Sequence, residues 1–147
     1  MEKQEKALLT IIVPAYNVEA YIEECLNSLV NQTVRNHKII IVNDGSTDKT
    51  EEKCLKYKEE YEELITYVYQ DNKGLGGARN TGMQYVDTPY LTFLDSDDWL
   101  SIKFVEKFSN GRMKNQKWFL HFHGYLIQLQ IAFFHGKIRK YMTVFLK

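Results

Sequence analysis

Apolar runs and half-apolar segments take turns along the chain as far as Leu94. Leu8-Leu9-Thr10-Ile11-Ile12-Val13 is an uncharged, β-branched run stopped by Pro14, which suits a strand buried on both faces of a parallel sheet. Behind it Ile22, Cys25, Leu26, Leu29 and Val30 recur at helical steps, while Glu19, Glu23, Glu24 and Asn27 fill the other face. Lys38-Ile39-Ile40-Ile41-Val42 is a second buried strand, and it ends in the turn Asn43-Asp44-Gly45-Ser46-Thr47-Asp48. Asp48, with Glu51 three residues on, has the form of a capping box, and Cys54, Leu55, Tyr57, Lys58 and Tyr61 continue a half-apolar helix. Residues 64–69 read as a third strand, 71–74 as a loop, 76–86 as a short helix rich in small residues, and 90–94 as a fourth strand.

Strands that alternate with helices call for an α/β architecture with a parallel sheet. In such sheets ligands bind beyond the carboxyl ends of the strands. Tyr16, Asp44, Asn72 and Asp95 each follow a strand, so they are expected on one rim. No internal repeat is present.

The 147 residues, 44% hydrophobic and 26% charged, suffice for one globular domain. Lys plus Arg equals Asp plus Glu at 19 each, so net charge offers no attraction for nucleic acid. The balance conceals a division. No Asp or Glu follows Glu106, whereas Lys107, Arg112, Lys114, Lys117, Lys137, Arg139, Lys140 and Lys147 make the tail basic. Cys25 and Cys54 have no metal-binding spacing and read as reduced, buried or half-buried thiols. The charged start Met1-Glu2-Lys3-Gln4-Glu5-Lys6 shows no secretory pattern, which places the chemistry on the cytosolic side.

Three segments carry candidate chemistry. Asp95-Ser96-Asp97-Asp98 crowds carboxylates at a strand end, an arrangement suited to a hard cation such as Mg2+ or Mn2+ that takes one or two protein carboxylates and leaves places for water and phosphate. A solvated acidic turn, with Asp97 or Asp98 capping a helix at Leu100, is the plain alternative. Asp44 precedes Gly45 at another strand end, where a carboxylate can accept from a nucleobase N–H or a ribose; it can equally be a turn former, and Asp48 a structural cap. Lys73-Gly74-Leu75-Gly76-Gly77-Ala78-Arg79-Asn80-Thr81-Gly82 is neither a Walker A loop nor a dinucleotide fingerprint. Its glycines allow a helix to approach the sheet, and Lys73 and Arg79 are either surface charges or partners for the acidic loops and a diphosphate.

In order and spacing, Ile11-Ile12-Val13-Pro14-Ala15-Tyr16-Asn17, Ile41 to Asp48, Asn72 to Gly82 with Ala78-Arg79-Asn80, and Phe93-Leu94-Asp95-Ser96-Asp97-Asp98 resemble the family 2 glycosyltransferases, inverting enzymes of the GT-A fold. The resemblance implies a Rossmann-like, mostly parallel sheet with flanking helices, incomplete at its C-terminus. It also implies a nucleotide-sugar-binding subdomain at residues 1–108, followed by a basic, aromatic-rich tail at 109–147. Pro14, Ala15, Tyr16 and Asn17 would line the nucleobase and ribose pocket, and Asp44 would read the base. Lys73, Gly74 and Arg79 would lie near the nucleotide, Asp95 and Ser96 near the ribose or a metal water, and Asp97 would ligate the metal, with Asp95 beside it. The implied activity moves a sugar from a nucleotide-diphosphate donor, with uridine as base, to a saccharide or lipid-linked acceptor in cell-surface polysaccharide or glycan synthesis.

The same resemblance implies a carboxylate general base well downstream of the acidic cluster, and the sequence after Glu106 has none. A proline expected near Ile102 is absent too. Residues 118–134 are uncharged and aromatic but short for a membrane span and interrupted by His121, His123, Gly124, Gln128 and Gln130. With Lys137, Arg139 and Lys140 behind them, they suit a surface-lying segment at the inner face of the membrane; a truncated or frame-shifted product and ordinary core are the other readings. A non-catalytic nucleotide-binding relic and a nucleotidyltransferase remain as alternative functions, the second lacking an evident triphosphate loop.

Overall fold

The computed structural model describes residues 7–112, 121–122, 125–134 and 137–144. Strands β1 (Leu9–Ala15), β2 (His37–Asp44), β3 (Ile65–Gln70) and β4 (Tyr90–Phe93) alternate with helices α1 (Ile22–Val30), α2 (Thr50–Glu60) and α3 (Gly74–Gln84), and α4 (Phe104–Arg112) follows. The first four strands pair in parallel in the order β3-β2-β1-β4, with Leu9 opposite both His37 and Tyr90. This is the expected α/β arrangement.

Why the middles of β1 and β2 carry no charge is answered by the pleat. Leu9, Ile11, Val13, Ile39 and Ile41 pack with α1, α2 and α4 on one face, while Ile12, Ile40 and Val42 pack with Ala78 of α3 on the other. Successive residues of β1 therefore enter different cores, and no position is left for water.

Pro14 does not end β1, contrary to the sequence expectation; it pairs with Val42, and Ala15 with Asn43. Ile12 accepts from Leu94 on the β4 side, so Pro14, two residues on, turns its missing N–H to the same side, where β4 has already ended. The capping box is not formed either. Helix α2 begins at Thr50, Asp48 accepts from the Thr50 and Glu19 backbone, and Glu51 instead accepts from the Tyr67 hydroxyl. Nor does a helix start at Leu100: α4 begins at Phe104, whose N–H reaches the Ser101 carbonyl.

Buried Gln32 fastens the end of α1 to the segment behind the acidic cluster. Its amide donates to the Ser28 and Ser101 carbonyls at 2.8 Å each and accepts from Val105 N–H at 2.9 Å. Cys25 and Cys54 are free and buried, as expected; burial pushes the Cys54 thiol up to about 12 and the Cys25 thiol higher still, which leaves both unreactive.

The tail contributes β5 (His121–Phe122), β6 (Tyr125–Phe134) and β7 (Lys137–Val144). Strands β6 and β7 form an antiparallel pair, and β7 runs parallel to β4 with Tyr90 opposite Lys140. Residues 113–120 and 123–124, with Trp118, His123 and Gly124 of the expected surface-lying segment and Lys114 and Lys117 of the basic tail, fall outside the described residues, as does the charged start. Among the described residues no helix is long and apolar enough to cross a membrane.

Helix α3 lies on the sheet where Gly82 leaves room. A Cβ there would stand 2.5 Å from Ile12 Cγ2 and 3.3 Å from Val42 Cγ2. Gly82→Ala is expected to destabilise the fold by about 1–3 kcal/mol through overpacking, whatever helix propensity alanine adds. Urea denaturation checks this, and an unchanged or raised midpoint would contradict it.

Candidate functional site

Because β1, β2, β3 and β4 are parallel, the loops that leave them share one edge. Pro14 and Ala15 are buried within β1, while Tyr16 and Asn17 stand exposed beyond it. Asn17 holds a left-handed φ of 50°, which its short amide side chain tolerates. From there its N–H donates to Ser46 Oγ at 3.1 Å, and its Oδ1 accepts from Thr47 N–H at 2.8 Å. Val18 N–H reaches Thr50 Oγ1, and Glu19 Oε2 takes Lys49 N–H, both at 2.8 Å. The loops after β1 and β2 are thus sewn together before any ligand arrives. Burial alone would raise the Asp48 carboxyl, but hydrogen bonds from Thr50 and Glu19 outweigh it and hold the group below its usual range.

Asp44 closes β2 almost wholly buried. Its Oδ1 accepts from Lys73 N–H at 2.8 Å and from the Gln70 amide at 2.5 Å, which joins the ends of β2 and β3. The chain then turns at Gly45, where φ is +74° and an added Cβ would meet Asn72 N at 2.9 Å; only glycine suits both conditions. Lys73 serves here through its backbone, with its side chain exposed, and Gly74 starts α3 with a φ of +73°. Gln70 was not singled out from the sequence. A polar residue closing the third strand was its only signal.

The cluster after β4 is held from α3. Arg79 Nη2 donates to Asp95 Oδ1 at 2.8 Å, and its guanidinium lies 5.4 Å from the centre of the Phe93 ring. Both partners are partly exposed, so the pair contributes on the order of 0–1 kcal/mol to stability and acts mainly to orient. Ser96 is buried and Asp97 exposed; Asp98 folds back so that its N–H meets the Asp95 carbonyl at 3.0 Å. Desolvation, then the charges of Asp97 and Asp95, push the Asp98 carboxyl above its usual 3.8. The repulsive part of that shift, among oxygen donors, is what a hard divalent cation would relieve. Among the described residues no three His, Cys, Asp or Glu side chains enclose a cation by themselves. A Mg2+ or Mn2+ held by Asp97 with Asp95 would draw its other oxygens from water and phosphate, so the donor set fits.

A family profile described as "Glycosyl transferase family 2" matches residues 10–117. Among curated relatives, "Glycosyltransferase GlyA" of Streptococcus pneumoniae is 48% identical over 98 residues, which are 67% of this chain and 14% of that protein. "Teichoic acid poly(glycerol phosphate) polymerase" of Staphylococcus epidermidis is 42% identical over 107 residues, 69% of this chain and 15% of that one. A crystal structure of S. aureus TarS 1–349 in complex with UDP-GlcNAc superposes with a TM-score of 0.65 at 30% identity, covering 70% of this chain and 30% of TarS 1–349. The mannosyltransferase PcManGT from Pyrobaculum calidifontis, in complex with GDP-Man and Mn2+, gives 0.59 at 27% identity, covering 65% of this chain and 29% of that one. The chain therefore spans under a third of the length of each of these four proteins. The α/β sheet is that of the GT-A neighbours.

The raised Asp98 carboxyl has a consequence for stability. Its proton is held more tightly in the folded than in the unfolded chain, so the group costs stability progressively as pH rises from below 3.8 through the raised value. In a chelator, the melting temperature of Asp98→Asn relative to the parent is expected to climb as pH rises from below 3.8 through the raised value and then level off. A difference that is flat or falls with pH would show that neither burial nor its neighbours raises the Asp98 carboxyl.

Proposed function

The chain belongs to glycosyl transferase family 2, and on that premise we propose that residues 1–108 form a donor-binding subdomain. Its ligand is a nucleoside diphosphate sugar, with uridine as the base. One observation carries the reading. Asp44 at the end of β2 and the Arg79-oriented cluster Asp95-Ser96-Asp97-Asp98 at the end of β4 flank the end of β1 on the same edge. Two strand spacings separate them by about 10 Å, a span that a nucleoside diphosphate bridges with its base at one end and its phosphates at the other.

In this reading Asp44 accepts from the base, and Tyr16 and Asn17, supported by Pro14 and Ala15, line the base and ribose. Lys73, Gly74 and Arg79 lie along the nucleotide, and Asp95 with Ser96 meets the ribose or a metal-bound water. Asp97 holds the cation, which when bound supplies Lewis-acid stabilisation of the charge on the departing diphosphate. Arg79 keeps Asp95 turned toward that end of the site. The complexes of the two structural neighbours with UDP-GlcNAc and with GDP-Man and Mn2+ support this assignment.

The reaction we assign is attack of an acceptor hydroxyl on the anomeric carbon, with departure of the nucleoside diphosphate and inversion. The acceptor is a saccharide or lipid-linked glycan in cell-surface polymer synthesis, consistent with the relative named for teichoic acid polymerisation. It is reached at the cytosolic face of the membrane, where the basic tail at 109–147 meets anionic lipid. The acceptor proton needs a carboxylate that this sequence does not offer after Glu106.

Calorimetric titration with UDP, with and without Mn2+, tests the donor site. Mn2+ is expected to tighten binding at least about tenfold, or about 1.4 kcal/mol. Asp97→Asn should abolish that gain without lowering the melting temperature, since Asp97 is exposed. UDP binding that ignores both metal and substitution would instead support a relic. Sugar transfer by the 147-residue chain alone is expected to be weak, and robust acceptor-dependent release of UDP would refute the missing-base argument.

A further inference from the structure

We infer that Gln70 is a positioning residue for Asp44 and, through it, sets which nucleobase the chain selects; this rests on the reading of Asp44 as the base contact. Gln70 is the last residue of β3 and lies directly opposite Asp44 in the parallel ladder. Its side chain is buried, and Nε2 donates to Asp44 Oδ1 while Oε1 is sealed from solvent with no donor. Turning the amide over would set Oε1 against a carboxylate oxygen, so Asp44 dictates its orientation. A sealed acceptor without a partner costs free energy that an apolar residue of the same shape would avoid. The orphaned Oε1 is a cost set against the Nε2 bond to Asp44, and what the amide yields is a fixed carboxylate.

The consequence for Asp44 is an asymmetry between its two oxygens. Gln70 Nε2 and Lys73 N–H both bond to Oδ1. Oδ2 takes no hydrogen bond among the described residues, yet it is not among their sealed, unpaired atoms. What remains is one carboxyl oxygen of fixed position, open to a donor. Uracil presents an N3–H to such a group, whereas cytosine presents a lone pair at the same place and is repelled. Without the Gln70 amide only Lys73 N–H holds Oδ1, the carboxylate can turn about that single bond, and the distinction between the two bases fades.

Dissociation constants for UDP and CDP, measured in Mn2+ for the parent, Gln70→Met and Gln70→Glu, decide the matter, with melting temperatures taken alongside. The parent is expected to prefer UDP. Gln70→Met should weaken UDP binding roughly tenfold and leave CDP nearly unchanged, so that the preference collapses. Gln70→Glu, which sets an acceptor where the donor was, should collapse it at least as far, and it decides the question should Gln70→Met fail to fold. If UDP and CDP weaken together, or the ratio stays at the parent value in a folded variant, Gln70 is merely structural and the inference falls while Asp44 keeps its role. A parent that binds UDP and CDP alike, or neither, overturns the reading of Asp44 and this inference with it.

Discussion

Ile11, Ile12 and Val13 have no contact with solvent on any side, and that condition orders what surrounds them. A strand paired on both edges and covered on both faces must have helices above and below the sheet. Its neighbours run parallel, so each connection has to cross over a face before the next strand can begin. Every loop that follows a strand is then delivered to one edge. The site lies there because the core leaves polar residues no other common place.

At that edge the polar groups are arranged largely by one another. Asn17, Ser46, Thr47, Asp48 and Thr50 exchange hydrogen bonds between side chains and backbone, and these tie the first two loops together. Asp44 then ties the second loop to the third, and Arg79 carries the connection from α3 to the cluster after β4. The partly exposed Arg79–Asp95 pair positions at little cost in stability, since such pairs contribute little either way. Crowded carboxylates are the exception. Asp98 sits above its ordinary range because water is partly excluded and because Asp97 and Asp95 are near, and a cation bound there would relieve the second of these.

Glycines divide along the same line between packing and function. Gly82 is set by packing, since any side chain would strike Ile12, whereas nothing lies within 4 Å of a Cβ at Gly74 or Gly76. The sequence motif around them looked uniform because one residue type answers two demands, close approach and unusual backbone angles. Behind the site, Gln32 knits α1 to the chain beyond the acidic cluster, so the backbone that presents Asp97 is braced from a helix far away in sequence.

By itself the sequence determined the alternation of strands and helices, the parallel sheet and the rim shared by Tyr16, Asp44, Asn72 and Asp95. Those features follow from periodicity and from residues next to one another in the chain, which a sequence displays directly. It also displayed the acidic cluster and the charge division at Glu106. Tertiary structure alone decided that Pro14 stays within β1, because that depends on where β4 ends. It also decided that Asp48 and Glu51 serve different partners, because Tyr67 and Glu19 arrive from elsewhere. Gln70 belongs with these, since its partner Asp44 lies 26 residues away and only the pairing of β2 with β3 brings the two side chains together. A polar residue's partner is fixed by register, and register is a property of the folded sheet.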